Sequence, residues 1–302
     1  MTDQHPPIIL NWLDKLHDKG KSPHTIQAYR QGLLHFLAWY SNIYPNSFNP
    51  SQVMPRDIQD WQTHQQQKDK SAPATVNQRL VAVKQFFKWT QKQDLIQRNP
   101  ADDVSAIRIE NREIKSLDDT PLRQLLREAK SETRDYAILE VLAGTGIRVG
   151  ELLNLTIGDI EIHPRSGKLT VRYGKGGGYR VVPLTRHVRE ALQDYLDEDH
   201  PNPKDPQQGL WWGRDGVITH RSSIIRLLDK YAIRAGLNTV TPHMLRHTFA
   251  TRYLKVNRDD LRGLARLLGH SSLDTVMIYT EPTLDDLEQR MEHMETNIHS
   301  ID

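Results

Sequence analysis

The 302-residue chain contains no cysteine, which excludes disulfide bridges and thiol chemistry. No apolar run approaches the ~18 residues that span a bilayer. The opening MTDQHPPIIL also lacks the basic start and long apolar core of a signal peptide, so a cytoplasmic protein without a membrane partner is expected. A dominant charge is missing too: 40 Lys and Arg stand against 38 Asp and Glu, for a net charge of +2. Residues 1–110 hold 13 of the basic and 10 of the acidic side chains, and the remainder holds 27 and 28. Bulk charge therefore does not mark a nucleic-acid binder; a local arrangement has to.

What is present is enough chain for two separate cores, and a strong helical grammar. SPHTIQAYRQGLLHFLAWY opens with Ser22 as N-cap and Pro23 at the first helical position, then places Ile26, Tyr29, Leu33, Phe36, Leu37 and Tyr40 at helical spacing. SAPATVNQRLVAVKQFFKWT repeats the scheme, with Pro73, Thr75, Val76, Val83, Phe86 and Trp89 matching Pro23, Thr25, Ile26, Leu33, Phe36 and Trp39. Two similar helices in one bundle follow, from duplication or from a shared packing solution. Arg79, Lys84, Lys88 and Lys92 flank the second apolar stripe; on their own they are an ordinary solvated face.

NPADDVSAIRIENREIKS has a turn signal, mixed charge and no sustained period, which predicts an interdomain linker over 105–115 between domains at 1–104 and 116–302. Ser116 with Asp119 has the spacing of a capping box, and helical patterns run from there to about Leu155. Three strand-like runs come next, TIGDIEIH, KLTVRY and YRVVPL, the last two joined by the glycine-rich turn GKGGG. From Thr185 the pattern is helical again, interrupted by the loop DHPNPKDPQQG. The fold class is thus mainly α, with one small antiparallel three-stranded sheet in the second, mixed α/β domain.

The chemistry concentrates in two clauses near the C-terminus, TPHMLRHTFATRYL and LLGHSSLDTVMIYTEP. Thr241 caps a helix with Pro242 at its first position, so His243 and Arg246 stand one turn apart near the positive end of the dipole. Phe249, Tyr253 and Leu254 continue a buried stripe. Gly269 stops the preceding helix, His270 sits in the turn, and Ser271 with Asp274 caps a short helix carrying Tyr279. Arg148 follows the glycine pair of AGTGIRVGELLNL, and Lys175 stands in the hairpin turn. This set makes chemical sense for a phosphodiester. Two guanidiniums, Arg148 and Arg246, can clamp non-bridging oxygens that gain charge during in-line attack. Tyr279, a phenol of pKa ~10, needs a proton acceptor, and the departing alkoxide needs a donor. His243 and Lys175 fit those two roles, and His270 can orient phosphate or nucleophile. Taken singly, each has a plainer reading as packing, cap, ion pair or solubility residue.

GTGIRVGELLNL, YGKGGGYRVVPL, PHMLRHTFAT and LLGHSSLDTVMIYT resemble, in order, the four signature boxes of the tyrosine recombinases, the family of phage integrases and Xer recombinases. The resemblance implies a helical, SAM-like core-binding domain followed by a catalytic domain. It implies catalytic roles for Arg148, Lys175, His243, Arg246, His270 and Tyr279, the last as nucleophile, with Glu151 supporting the first arginine. DNA contacts from Arg79, Lys84 and Lys88 follow, with double-stranded recombination sites as substrate. A 3′-phosphotyrosyl intermediate, strand exchange through a Holliday junction in a homotetramer, accessory protein partners, and no metal or other cofactor are further implications. The tail from about 283 to 296 becomes a helix that links subunits, with Leu284, Leu287, Met291 and Met294 along one side. Gly150 and Gly178 depart from the Ser and Lys common in other members. Three alternatives are a type IB-like topoisomerase, a non-catalytic DNA-binding protein, and a zinc site on His243 and His247, the last lacking the Glu and third ligand such a helix would need.

Overall fold

The computed structural model describes residues 6–45, 48–109, 116–172 and 179–270, together with Met277, Glu288 and Met291. The chain divides into two compact units, Met1–Arg112 and Glu113–Asp302.

The first unit is a helical bundle of α1 (Pro7–Asp18), α2 (Pro23–Ile43), α3 (Pro55–Gln67) and α4 (Pro73–Lys92). Each helix begins at a proline, whose fixed φ suits the first turn and whose missing N–H has no intrahelical use there. Ser22 caps α2 as expected, its Oγ accepting from the Thr25 N–H at 3.2 Å. The paired helices α2 and α4 pack together and come close at Gly32, where an added Cβ would lie 2.9 Å from that of Ala82 and 3.1 Å from the Arg79 Cα. Trp12, Phe36, Trp61, Phe86 and Phe87 fill the core, several edge to face. Part of the expected linker belongs to this unit. Gln62 donates to the Ser105 carbonyl at 3.1 Å, and Asn77 exchanges two 2.8 Å bonds with the backbone of Ile107.

The second unit opens with α5 (Asp119–Ala129), α6 (Thr133–Thr145) and α7 (Val149–Leu153). The sheet of β1 (Ile160–Ile162), β2 (Gly167–Val171) and β3 (Arg180–Pro183) comes next, antiparallel in chain order, with Leu169 opposite Val182 and Val171 opposite Arg180. After α8 (Arg186–Glu198) a short hairpin of β4 (Trp212–Gly213) and β5 (Gly216–Val217) leads into α9 (Arg221–Arg234), α10 (Pro242–Val256) and α11 (Leu261–Leu268). Leu139, Leu142, Leu192, Tyr195, Trp211 and Tyr231 are among the residues buried in its core.

Two local expectations need correction. The helix after the linker starts at Asp119 with Asp118 as N-cap, and no Ser116 box forms. Its cause is tertiary: the Leu117 N–H donates to Thr248 Oγ1 on α10 at 2.8 Å, which holds residue 117 outside the helix. The stretch after Thr185 is not helical apart from one loop, because it contains the β4–β5 hairpin. Strands of two residues are too short to show alternation. On α10, Phe249, Tyr253 and Leu254 are half-buried around Ala250, Leu264, Ala265 and Leu268, so the stripe faces a shallow satellite core. Among the described residues no helix is long and apolar enough to cross a membrane.

Candidate active site

Two helices end at the site, both in left-handed glycines: α6 at Gly146 (φ 63°) and α11 at Gly269 (φ 65°). A side chain at Gly146 would be strained by its φ, and its Cβ would lie 2.4 Å from the Phe249 ring. Helix C-termini leave carbonyls without intrahelical donors and carry partial negative charge, so they suit cations. Here they receive arginines. Arg246, 4% exposed, donates through Nη1 to the Gly146 carbonyl at 2.7 Å and through Nη2 to the Leu268 carbonyl at 2.9 Å. Arg148, the N-cap of α7, reaches the same Leu268 carbonyl at 3.4 Å and that of Gly269 at 3.5 Å. Both guanidiniums therefore converge on one peptide oxygen, although Arg148 and Arg246 lie in separate elements.

Like charges this close need a counter-charge, and Glu151 supplies it. Its Oε1 accepts from Arg148 Nη1 at 3.0 Å, and its Oε2 from the Arg148 N–H at 2.8 Å. The same two oxygens accept from Arg180 at 2.9 and 2.6 Å. Burial pushes the Glu151 carboxyl up, but the bonds from Arg180 and Arg148 outweigh it and hold the group below its ordinary value. Arg180 was not among the residues singled out in the sequence. A signal existed: alternation through YRVVPL puts Arg180 on the same face as buried Val182.

His270 Nε2 lies 2.7 Å from Arg246 Nη2. A guanidinium only donates, so Nε2 accepts and the proton sits on Nδ1, which has no hydrogen-bond partner among the described residues. Burial, then Arg246, Arg148 and Arg180, bring His270 down to about 4. His243 is exposed on the first turn of α10, its ring 4.1 Å from that of His247. Partial burial and the guanidiniums of Arg246, Arg221 and Arg148 lower it. His247 is brought down to about 4 by burial and by its neighbours His243, Arg246 and His270.

The structure thus gathers Arg148, Glu151, Arg246 and His270 in one hydrogen-bonded cluster and puts His243 at its edge. Lys175, Gly178, Ser271, Asp274 and Tyr279 lie outside the described residues. Gly150 has open space around it, so a serine there would fit. No group of three or more His, Asp or Glu side chains is placed to share a metal ion among the described residues. In the first unit Lys84 is half-buried and Lys88 exposed. Arg79 Nη1 is engaged by Gln65 Oε1 at 3.0 Å and Ser71 Oγ at 3.3 Å.

The lowered histidines set a pH response. Between pH 6.5, their ordinary value, and about 4, the unfolded chain takes up protons that folded His247 and His270 refuse. The contribution of these two histidines is therefore full above pH 6.5 and falls as pH drops toward 4, while Glu140, raised by burial, acts in the opposite direction just above its ordinary 4.5. Glu151 acts in the same direction as the histidines only below its ordinary 4.5. Thermal melts should show Tm falling over that upper window, with a shallower fall in His247→Phe. A Tm constant from pH 7 to 4.5 would contradict the assignment.

Comparison with known proteins agrees over both units. Residues 112–285 match the phage integrase family, and residues 8–97 match the phage integrase N-terminal SAM-like domain. The tyrosine recombinase XerC of Thermodesulfovibrio yellowstonii is 34% identical over 291 residues, covering 92% of this chain and 93% of the relative. XerD of Listeria monocytogenes is 30% identical over 274 residues, covering 88% and 90%. Among solved structures, XerA recombinase is 30% identical with a TM-score of 0.52, covering 98% of this chain and 99% of that one. XerH bound to its palindromic difH substrate shares the fold at a TM-score of 0.73 and 23% identity, covering 94% and 83%. With its family match spanning more than half its length, and near-full-length relatives at 30% identity or more, this chain belongs to the phage integrase family of tyrosine recombinases.

Proposed function

We propose that the protein is a site-specific recombinase that breaks and rejoins double-stranded DNA through a tyrosine. The observation that carries this reading is the convergence of Arg148 and Arg246 on the Leu268 carbonyl, which holds two positive charges side by side before any phosphate arrives. Such a preset pair favours the charge that builds on non-bridging oxygens more than the charge already there, which is what lowers a barrier. Tyr279 attacks phosphorus: the phenolic oxygen–phosphorus bond forms, the bond from phosphorus to the 5′ oxygen breaks, and a 3′-phosphotyrosyl link remains. The phenolic proton passes to His243, which its lowered pKa keeps neutral and receptive near pH 7. Lys175 protonates the departing 5′ oxygen. Attack by a 5′-hydroxyl from a second duplex reverses the step and exchanges strands, through a Holliday junction in a homotetramer.

Residues of α4 complete the substrate grip, with Arg79, Lys84 and Lys88 on the DNA backbone. The tail over 283–296 links neighbouring subunits as a helix; of this stretch only Glu288 and Met291 are among the described residues, both helical, and Met291 is 70% exposed.

The test is a nicked duplex carrying the recombination site, incubated with protein in excess EDTA. A covalent adduct should form, and peptide mapping should place the nucleotide on Tyr279. Recombination should require two such sites, since a topoisomerase relaxes DNA with none. An adduct on another residue, or strict dependence on a divalent metal, would overturn the reading. For the first unit, Lys84→Ala with Lys88→Ala should weaken specific and nonspecific binding alike. The salt dependence should lose about one unit of slope per lost phosphate contact. An unchanged slope returns these lysines to a solvated face.

A further inference from the structure

We infer that Arg180 is a positioning residue for Arg148, acting through Glu151 and resting on the reading of Arg148 as a phosphate clamp. Arg180 is 8% exposed, and each of its guanidinium nitrogens has an acceptor: Nη1 and Nη2 take the two oxygens of Glu151, and Nε takes the Leu267 carbonyl at 2.8 Å. An added Cβ at Gly269 would lie 2.7 Å from Arg180 Nη1, so the left-handed glycine that ends α11 also makes room for this side chain.

The consequence is electrostatic and geometric. Each Glu151 oxygen accepts one bond from Arg148 and one from Arg180, which fixes the plane of the carboxylate. Arg148, Glu151 and Arg180 together carry one net positive charge. Without Arg180 that sum is zero. Glu151 then turns both oxygens to Arg148 as a fork, which draws the guanidinium off its set position and cancels the charge it offers a phosphate. Arg180 also begins β3, and its bond to Leu267 ties that strand to the end of α11 just before His270. One side chain thus joins three of the four sequence boxes.

A purely structural ion pair would change stability and leave the chemistry alone, so the test separates binding, cleavage and folding. Single-turnover cleavage of a nicked site at saturating protein should fall ~10²-fold in Arg180→Gln, as small misplacements of catalytic groups do, with DNA affinity within about 3-fold. Arg180→Lys keeps the charge and the fold but cannot span two carboxylate oxygens and a carbonyl; its rate should stay at least ~10-fold low. In a Glu151→Gln background the Arg180→Gln change should cost less than about 3-fold more, since its target is already gone. That double variant leaves no lone buried carboxylate and guards against misfolding. Multiplying losses, wild-type cleavage by Arg180→Lys, or affinity falling in step with rate would each overturn the role. Arg148→Ala is run alongside: if it cleaves normally the clamp reading itself fails, whereas a dead Arg148→Ala beside a normal Arg180→Lys overturns only this inference.

Discussion

Tyr279→Phe should bind its recombination site with unchanged affinity and form no covalent adduct with DNA. The substitution removes a single oxygen from a side chain whose ring is kept, so packing and the backbone contacts that dominate affinity are untouched. On the proposed mechanism the reaction loses its nucleophile. Nucleophile deletions in enzymes that use a concerted set of groups reduce rates by many orders of magnitude, and trapping on a nicked duplex should drop at least ~10⁴-fold, below detection on a gel. The measurement has two arms, a mobility shift for binding and denaturing electrophoresis for the adduct. Adduct formation by the Phe variant would mean that another residue attacks the phosphate. Loss of the mobility shift in parallel would mean that the hydroxyl supports the fold or DNA binding rather than the chemistry alone.

How far the site could be read in the sequence depended on the range of the physics involved. Local signals held. Thr241 accepts from the Met244 N–H at 3.2 Å, as an N-cap before Pro242 should, and Gly269 ends α11 in the left-handed conformation. KLTVRY and YRVVPL pair as antiparallel neighbours in a small three-stranded sheet, as anticipated, because alternation and a glycine turn are local too. Signals that depend on tertiary partners did not show. Nothing near Ser116 announces that Thr248, far along the chain, will claim the Leu117 N–H and shift the helix start. Nothing in TIGDIEIH announces that Asp159 will be buried and paired with Arg172. The arginine cluster lies between these limits. Arg148 and Arg246 were legible from motif and spacing, but the carbonyls of Gly146 and Leu268 that hold them are backbone atoms and have no sequence signature. Arg180 escaped notice because an arginine in a strand is ordinary until its register proves to face inward beside Val182.

Arg246→Gln should be the most damaging change among the described residues, for reasons that set it apart from Arg148. Arg148 is partly exposed and its partner Glu151 retains Arg180 if Arg148 is lost. Arg246 is buried, and among its partners are the carbonyls that end α6 and α11 and His270 Nε2. Glutamine is shorter and carries one donor group, so at least one of those acceptors is stranded in a dry site, at about 1–3 kcal/mol each. A drop in melting temperature should accompany a cleavage loss of ~10²–10³-fold, the usual result of deleting one preset donor to a developing oxyanion. A third effect belongs to this residue alone. Arg246 is the largest charged cause of the depressed His270, so its removal should let that imidazole climb from about 4 toward its ordinary 6.5. Titration of His270 followed by NMR reads this directly in a variant that remains folded at low temperature. If the His270 titration does not move while cleavage is lost, the 2.7 Å contact is not what holds the histidine, and Arg246 serves the phosphate without organising the turn that carries His270.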